Sequence, residues 1–249
     1  MTPVPCLQMT MYAAISIAIS LALWAGSAQA ACEQLVFEDT PFTVCNANPK
    51  TDDIRLFLNG EDGTPLGTFG NVEDALDDVD LRFAMNAGMY HADRRPVGLY
   101  IEHGVELAPI VTREGPGNFG LLPNGVFCLT AQRALVVESR AFTTASHDCI
   151  FATQSGPMLV INGTLHPRFI PDSDSTNVRN GIGVRSDGTI AAAISDRPVN
   201  FHHFARLFRD VLKTPNALFL DGSISRLYAP ELNRHDIGLP MGPILGVAN

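Results

Sequence analysis

Short apolar runs separated by turn dipeptides dominate the chain beyond residue 31. Residues 35–44 and 54–59 read as strands, with Asn59-Gly60 and Asp62-Gly63 as hairpin-type turns. Residues 72–79 are acidic, with Ala75, Leu76 and Val79 spaced to face inward from a short helix. Further strands are expected at 83–86, 96–102, 124–129, 158–161, 190–194 and 217–220, and a last one within the Gly- and Pro-bearing 238–247. One segment breaks the pattern. In 199–212 Phe201, Phe204, Ala205, Phe208 and Leu212 recur at helical spacing, as in an amphipathic helix packed on a sheet. Strand runs outnumber helical ones, so the pattern predicts an α+β fold: mixed, mostly antiparallel β-sheets with few helices.

Composition narrows the function classes. The 249 residues are 46% hydrophobic and 17% charged, enough to bury a core, and a formal charge of -9 argues against nucleic acid as a partner. Residues 11–24 form an apolar run followed by Ser27-Ala28-Gln29-Ala30, the arrangement of a signal peptide over 1–30 with the mature chain starting at Ala31 as one domain to residue 249. The run falls short of the roughly 20 residues of a spanning helix, so no stable membrane span is expected after processing, and the protein is expected to be periplasmic or secreted. Of five cysteines Cys6 leaves with that segment, and the remaining four suit two disulfides in an oxidising compartment. Chain order favours Cys32–Cys45 and Cys128–Cys149, although three pairings are possible. No cysteine has zinc-ligand spacing, and neither a metal nor a cofactor is expected.

The candidate chemistry sits where apolar runs end. The run 190–194 stops at Ser195-Asp196, and 217–220 stops at Asp221-Gly222-Ser223. Two strands that each finish on an aspartate can bring two carboxylates to one edge of a sheet, as acid/base chemistry on a sugar or phosphate ester requires. Asn86 ends another strand, followed by Ala87-Gly88, and Arg179 heads a glycine-punctuated strand with a planar fork suited to a phosphate or a carboxylate. Ser155-Gly156-Pro157 lacks a nucleophile-elbow pattern and reads as an oriented hydroxyl. The glycine-rich 113–120 segment lacks the lysine and spacing of a nucleotide-binding loop.

Taken in order, these stretches resemble one family. Asn86-Ala87-Gly88-Met89-Tyr90 is similar to its Asn-Gly-Gly-Phe-Phe motif, and Ser155 to Val160 to its Ser-Gly-x-x-Leu element. Arg179 to Gly188 resembles its Arg-x-x-Ile-Gly strand with a following Asp-Gly, and Phe219 to Ser225 its Leu-Asp-Gly-Gly-Gly-Ser motif. The family is the phosphodiester glycosidases, and the resemblance runs from about Phe83 to the end. It implies an exported hydrolase that cleaves a sugar-1-phosphodiester, with a carbohydrate phosphodiester as its partner. Asp221 would activate water and Arg179 would hold the phosphate, while Asn86, Gly88, Ser155, Gly156, Gly222 and Ser225 would contribute to substrate binding. Asp196 is a second catalytic carboxylate on the strand-end reading alone. Ala87 and Ser223-Ile224 depart from motif glycines. Two rival readings are a non-catalytic phosphoglycan- or envelope-glycan-binding protein and an esterase using Ser155 with His202 or His203.

Overall fold

The computed structural model describes residues 1–2, 31–77, 79–221 and 224–248; the expected signal segment and Gly222 fall outside them, apart from the first two residues. Mostly antiparallel β-sheets and few, short helices make up the fold, as the pattern of apolar runs predicts. A seven-stranded sheet runs in the order β1 (Ala31–Phe37), β2 (Thr40–Ala47), β13 (Ile190–Ser195), β12 (Asn180–Val184), β14 (Asn216–Phe219), β10 (Met158–Ile161), β11 (Thr164–Leu165). A second sheet is ordered β16 (Arg234–His235), β15 (Leu227–Ala229), β4 (Leu81–Asn86), β17 (Ile244–Ala248), β3 (Asp53–Phe57). The third is ordered β6 (Val105–Ala108), β5 (Tyr100–Glu102), β9 (Phe151–Ser155), β7 (Gly125–Leu129), β8 (Ala134–Glu138).

Each sheet gives one face to a common core and covers the other with a helix. In β13, Ile190, Ala192 and Ile194 enter the common core while Ala191 and Ala193 face the opposite way, the period-2 alternation of a strand buried on both sides. That opposite face is covered by α3 (Phe201–Arg206), whose Phe204 and Ala205 pack against Phe42, Val44 and Phe219. Asn200 caps α3 by accepting from the His203 N–H, and a π-helical turn at Leu207–Val211 carries on to Leu212. Helix α1 (Phe69–Asp74) covers the second sheet with Phe69 and Val72, and the short α2 (Ser139–Phe142) lies over the third.

Several elements differ from the sequence expectation. The 35–44 run is a hairpin: β1 turns into β2 at Glu38 and Asp39, whose φ values of 47° and 62° are both positive. Such a turn usually announces itself with Asn or Gly, and here it does not. Helix α1 starts earlier than residue 72, where Thr68 caps it by accepting from the Asn71 N–H, and it ends at Asp74. Of the predicted 96–102 strand only Tyr100–Glu102 joins the sheet. Ahead of it the buried Gln154 takes over: its Oε1 accepts from Leu99 N at 3.0 Å and Val111 N at 2.9 Å, in place of a partner strand. In the 113–120 segment, a β-carbon on Gly120 would lie 2.0 Å from the Gly115 carbonyl oxygen, so glycine there lets the loop cross itself.

Two disulfides close the chain, Cys32–Cys45 and Cys128–Cys149, as chain order favoured. They fit an oxidising compartment outside the cytoplasm. Among the described residues, no helix is long and apolar enough to cross a membrane.

Candidate active site

The site grows out of sheet topology. Strand β12 runs antiparallel to both of its neighbours, β13 and β14, so those two run the same way and finish at one edge. Asp196 follows the end of β13, Asp221 follows the end of β14, and Arg179-Asn180 begins β12 between them. The pairing that brings two strand-end aspartates to a common edge is therefore real.

Side chains from three segments then converge on the backbone just before and at Asp221. Ser155, fully buried at the end of β9, donates its hydroxyl to the Leu220 carbonyl at 2.7 Å. Asn86, fully buried at the end of β4, donates from Nδ2 to the Asp221 carbonyl at 3.3 Å, and Ser225 Oγ donates to the same carbonyl at 2.9 Å. Asn86 is itself held on three sides. Its Nδ2 also reaches Asn180 Oδ1 at 3.3 Å, its Oδ1 accepts from Arg226 N at 2.8 Å, and its carbonyl accepts from Asn180 Nδ2 at 2.9 Å. These are the bonds that buried polar groups require, and they fix where Asp221 stands. Asp221 is 8% exposed. Nearby, burial raises the Tyr90 hydroxyl above its ordinary range, and the Asp221 carboxylate adds to that shift while Arg94 and Arg226 oppose it. The carboxylate and Arg226 therefore share the surroundings of one phenol.

A cleft of about 590 Å³ opens beside this turn, lined by Asp196, Ser225, Arg226, Arg234, Asp236 and Ile237 among others. Arg234 lies between two carboxylates, paired with Asp196 and with Asp236 at 3.0 Å, and it also donates to Thr43 Oγ1 at 2.8 Å. Burial works against its charge, yet the two aspartates raise its pKa above the ordinary arginine value. Arg226 donates from Nη1 to the Leu239 carbonyl at 2.6 Å.

The predicted residues thus divide. Asn86, Ser155, Asp221 and Ser225 are brought together, and Asp196 lines the adjoining cleft. Arg179 is placed elsewhere. It alternates with Asn180, so its side chain leaves the opposite face, where the guanidinium lies 3.7 Å from the Phe201 ring centroid. Nε donates to the Val199 carbonyl at 2.8 Å and Nη2 to the Ser175 carbonyl at 3.0 Å, and burial lowers the group to about 10. The residue is 1% exposed. Gly88 and Gly156 are positions of close backbone approach: a β-carbon on Gly88 would lie 2.4 Å from the Gln154 carbonyl oxygen, and one on Gly156 would lie 2.6 Å from Asn124 Cβ. Ser155 is not paired with histidine. His203 stacks on Phe42 and lies 3.4 Å from Glu38, while the Ser155 hydroxyl is committed to Leu220.

Sequence reading missed Asn180, Arg226, Arg234 and Asp236. Asn180 carried a usable signal, being a polar residue one step from Arg179 in an otherwise apolar strand. The three charged residues lie in segments with no periodicity to read.

Comparisons with known proteins bear on the family and the fold. The family model for phosphodiester glycosidase matches residues 80–247. The chain is 34% identical over 201 residues to the uncharacterized protein YigE of Escherichia coli (strain K12), covering 80% of this chain and 79% of that protein. Its fold is similar to the catalytic domain of zebrafish N-acetylglucosamine-1-phosphodiester alpha-N-acetylglucosaminidase, auto-inhibited by its pro-peptide, with a TM-score of 0.60 and 13% identity over 88% of this chain and 82% of that one. A hypothetical protein from Synechocystis is similar at a TM-score of 0.56 and 14% identity, over 87% of this chain and 61% of that one. The chain belongs to the phosphodiester glycosidase family.

Proposed function

We propose that this chain is an exported enzyme that hydrolyses a sugar-1-phosphodiester beside the Asp221 turn. The observation that carries the proposal is the convergence of Asn86, Ser155 and Ser225 on the backbone of Leu220 and Asp221, next to a cleft that holds two arginines. A turn braced from three segments holds a carboxylate to a fixed position, as general base catalysis needs. Water attacks the anomeric carbon and gives its proton to the Asp221 carboxylate. The bond from that carbon to the bridging oxygen breaks, and its electron pair leaves with the phosphate monoester. Because that group leaves readily, a strong general acid is not required, and the barrier lies mainly in the oxocarbenium-like centre. Asp196 serves the reaction indirectly by fixing Arg234 at the cleft wall. Arg179 works as a positioning residue. It ties the start of β12 to the backbone at Ser175 and at Val199 and so sets Asn180 against Asn86.

The test is a product assay of the mature chain on a panel of sugar-1-phosphodiesters. Turnover is expected for the wild type, and Asp221→Asn is expected to lower kcat by about 100-fold to 10,000-fold while the protein stays folded. Near-normal turnover in that variant would remove the base role. Saturable binding without product in the wild type would make the chain a glycan-binding protein instead.

A further inference from the structure

We propose that Arg226 and the loop 236–240 form the aglycone side of the cleft, fitted to a phosphodiester whose alcohol beyond the phosphate is apolar. This rests on the hydrolytic reading above and narrows its substrate class. Ile237 lines the cleft and is 85% exposed, and Leu239, two residues on, is 68% exposed. Single exposed apolar residues are ordinary. What sets this pair apart is the rigid, charged support beneath it. The loop is pinned at one end by Asp236, which accepts from Leu227 N at 2.9 Å and pairs with Arg234, and at the other by Met241 N donating to the Gly67 carbonyl at 2.8 Å. Between these ends the Arg226 guanidinium lies directly against the loop. Nη1 donates to the Leu239 carbonyl, and a β-carbon on Gly238 would stand 2.3 Å from Nη2. Glycine at 238 is what lets the cation approach so closely.

A guanidinium beside a cleft-lining isoleucine, with an exposed leucine two residues on in the same pinned loop, is complementary to an amphiphilic anion. The phosphoryl oxygens meet Arg226, and the first carbons of the alcohol meet Ile237 and Leu239. This apolar lip offers little to a polyhydroxylated aglycone, whose hydroxyls would lose water without gaining partners.

Hydrolysis of a sugar-1-phosphodiester releases an alkyl phosphate, so this side of the cleft can be examined without turnover. Titration calorimetry of the mature chain with methyl phosphate and with hexyl phosphate should show hexyl binding about tenfold tighter or more, the gain from roughly two buried methylenes. Replacing Ile237→Ser and Leu239→Ser together should bring the two ligands within about twofold, with hexyl phosphate losing far more affinity than methyl phosphate. Arg226→Gln should weaken both about equally, and Arg226→Lys, which retains the cation, should weaken them less. Equal binding of the two esters by the wild type, or a preference that survives loss of both lip residues, would overturn the proposal. An intact preference in a chain that hydrolyses nothing would sink the catalytic reading alone. Hydrolysis of methyl and hexyl diesters at one rate and affinity would sink the lip alone.

Discussion

Truncating Asn86 to alanine isolates the brace on which the Asp221 turn depends. The side chain makes three bonds, and they are unequal. The one accepted from Arg226 N, at 2.8 Å, has good length, while the two from Nδ2 to Asn180 Oδ1 and the Asp221 carbonyl are long at 3.3 Å. An orphaned N–H in this position costs about 1–3 kcal/mol, and each long bond adds about 0.5 kcal/mol. Asn86→Ala should therefore destabilise the fold by about 2–4 kcal/mol, a fall in Tm of roughly 5–15 °C for a chain of this size. Urea unfolding of the mature chain, read as a change in midpoint at constant slope, measures it. Asn86→Asp sharpens the test. It retains the acceptor for Arg226 N but turns the donor that faces two oxygens into a third oxygen. It should cost at least as much as alanine, although it preserves the best single bond. Combining Asn86→Ala with Asn180→Ala should cost less than the sum of the two, by about 0.5–1 kcal/mol, because they share one bond. A cost under about 1 kcal/mol for Asn86→Ala, or strict additivity with Asn180→Ala, would refute the idea that this network sets the turn.

Two further expectations concern buried groups beyond the turn. Arg179→Lys should destabilise by about 2–4 kcal/mol, since an ammonium cannot reach both the Val199 and Ser175 carbonyls while stacked over the face of Phe201. At temperatures where the variant is folded, its KM for a phosphodiester should stay within a few-fold of wild type; a KM raised by orders of magnitude at unchanged stability would return Arg179 to the phosphate. His166 is 2% exposed and stacked on Phe169, and burial is the leading cause that pulls its pKa below the ordinary 6.5. Folding thus favours the neutral ring, so its contribution is complete above pH 6.5 and is lost as pH falls through the lowered native value. Tm measured against pH should decline on the acid side of 6.5, and His166→Asn should flatten that limb; identical acid limbs would show that His166 does not drive the decline.

Much of the framework was legible locally. An apolar run that stops at Asp221, another that stops at Asp196, and a third that stops at Asn86 mark strand ends, because a strand buried on both faces must end where the chain meets a turn or a polar site. Strand alternation also dictated that Arg179 and Asn180 leave opposite faces. Which of them looks toward the site was not in the local pattern. Phe201 and Phe219 gather on one side of β12 and Asn86 waits on the other, and those partners come from elements far along the chain. The same holds for Arg226, Arg234 and Asp236. No periodicity singles them out, and their standing comes from antiparallel pairing that sets β15 and β16 beside the edge where β13 and β14 end. Where strands stop and which chemical groups stand at their ends can be read from the residue order, since both follow from burial and backbone preference over a few residues. Which of those groups meet depends on the assembled fold, because a polar side chain's role follows from the partner that satisfies it, and here that partner can lie 191 positions away, as between Thr43 and Arg234.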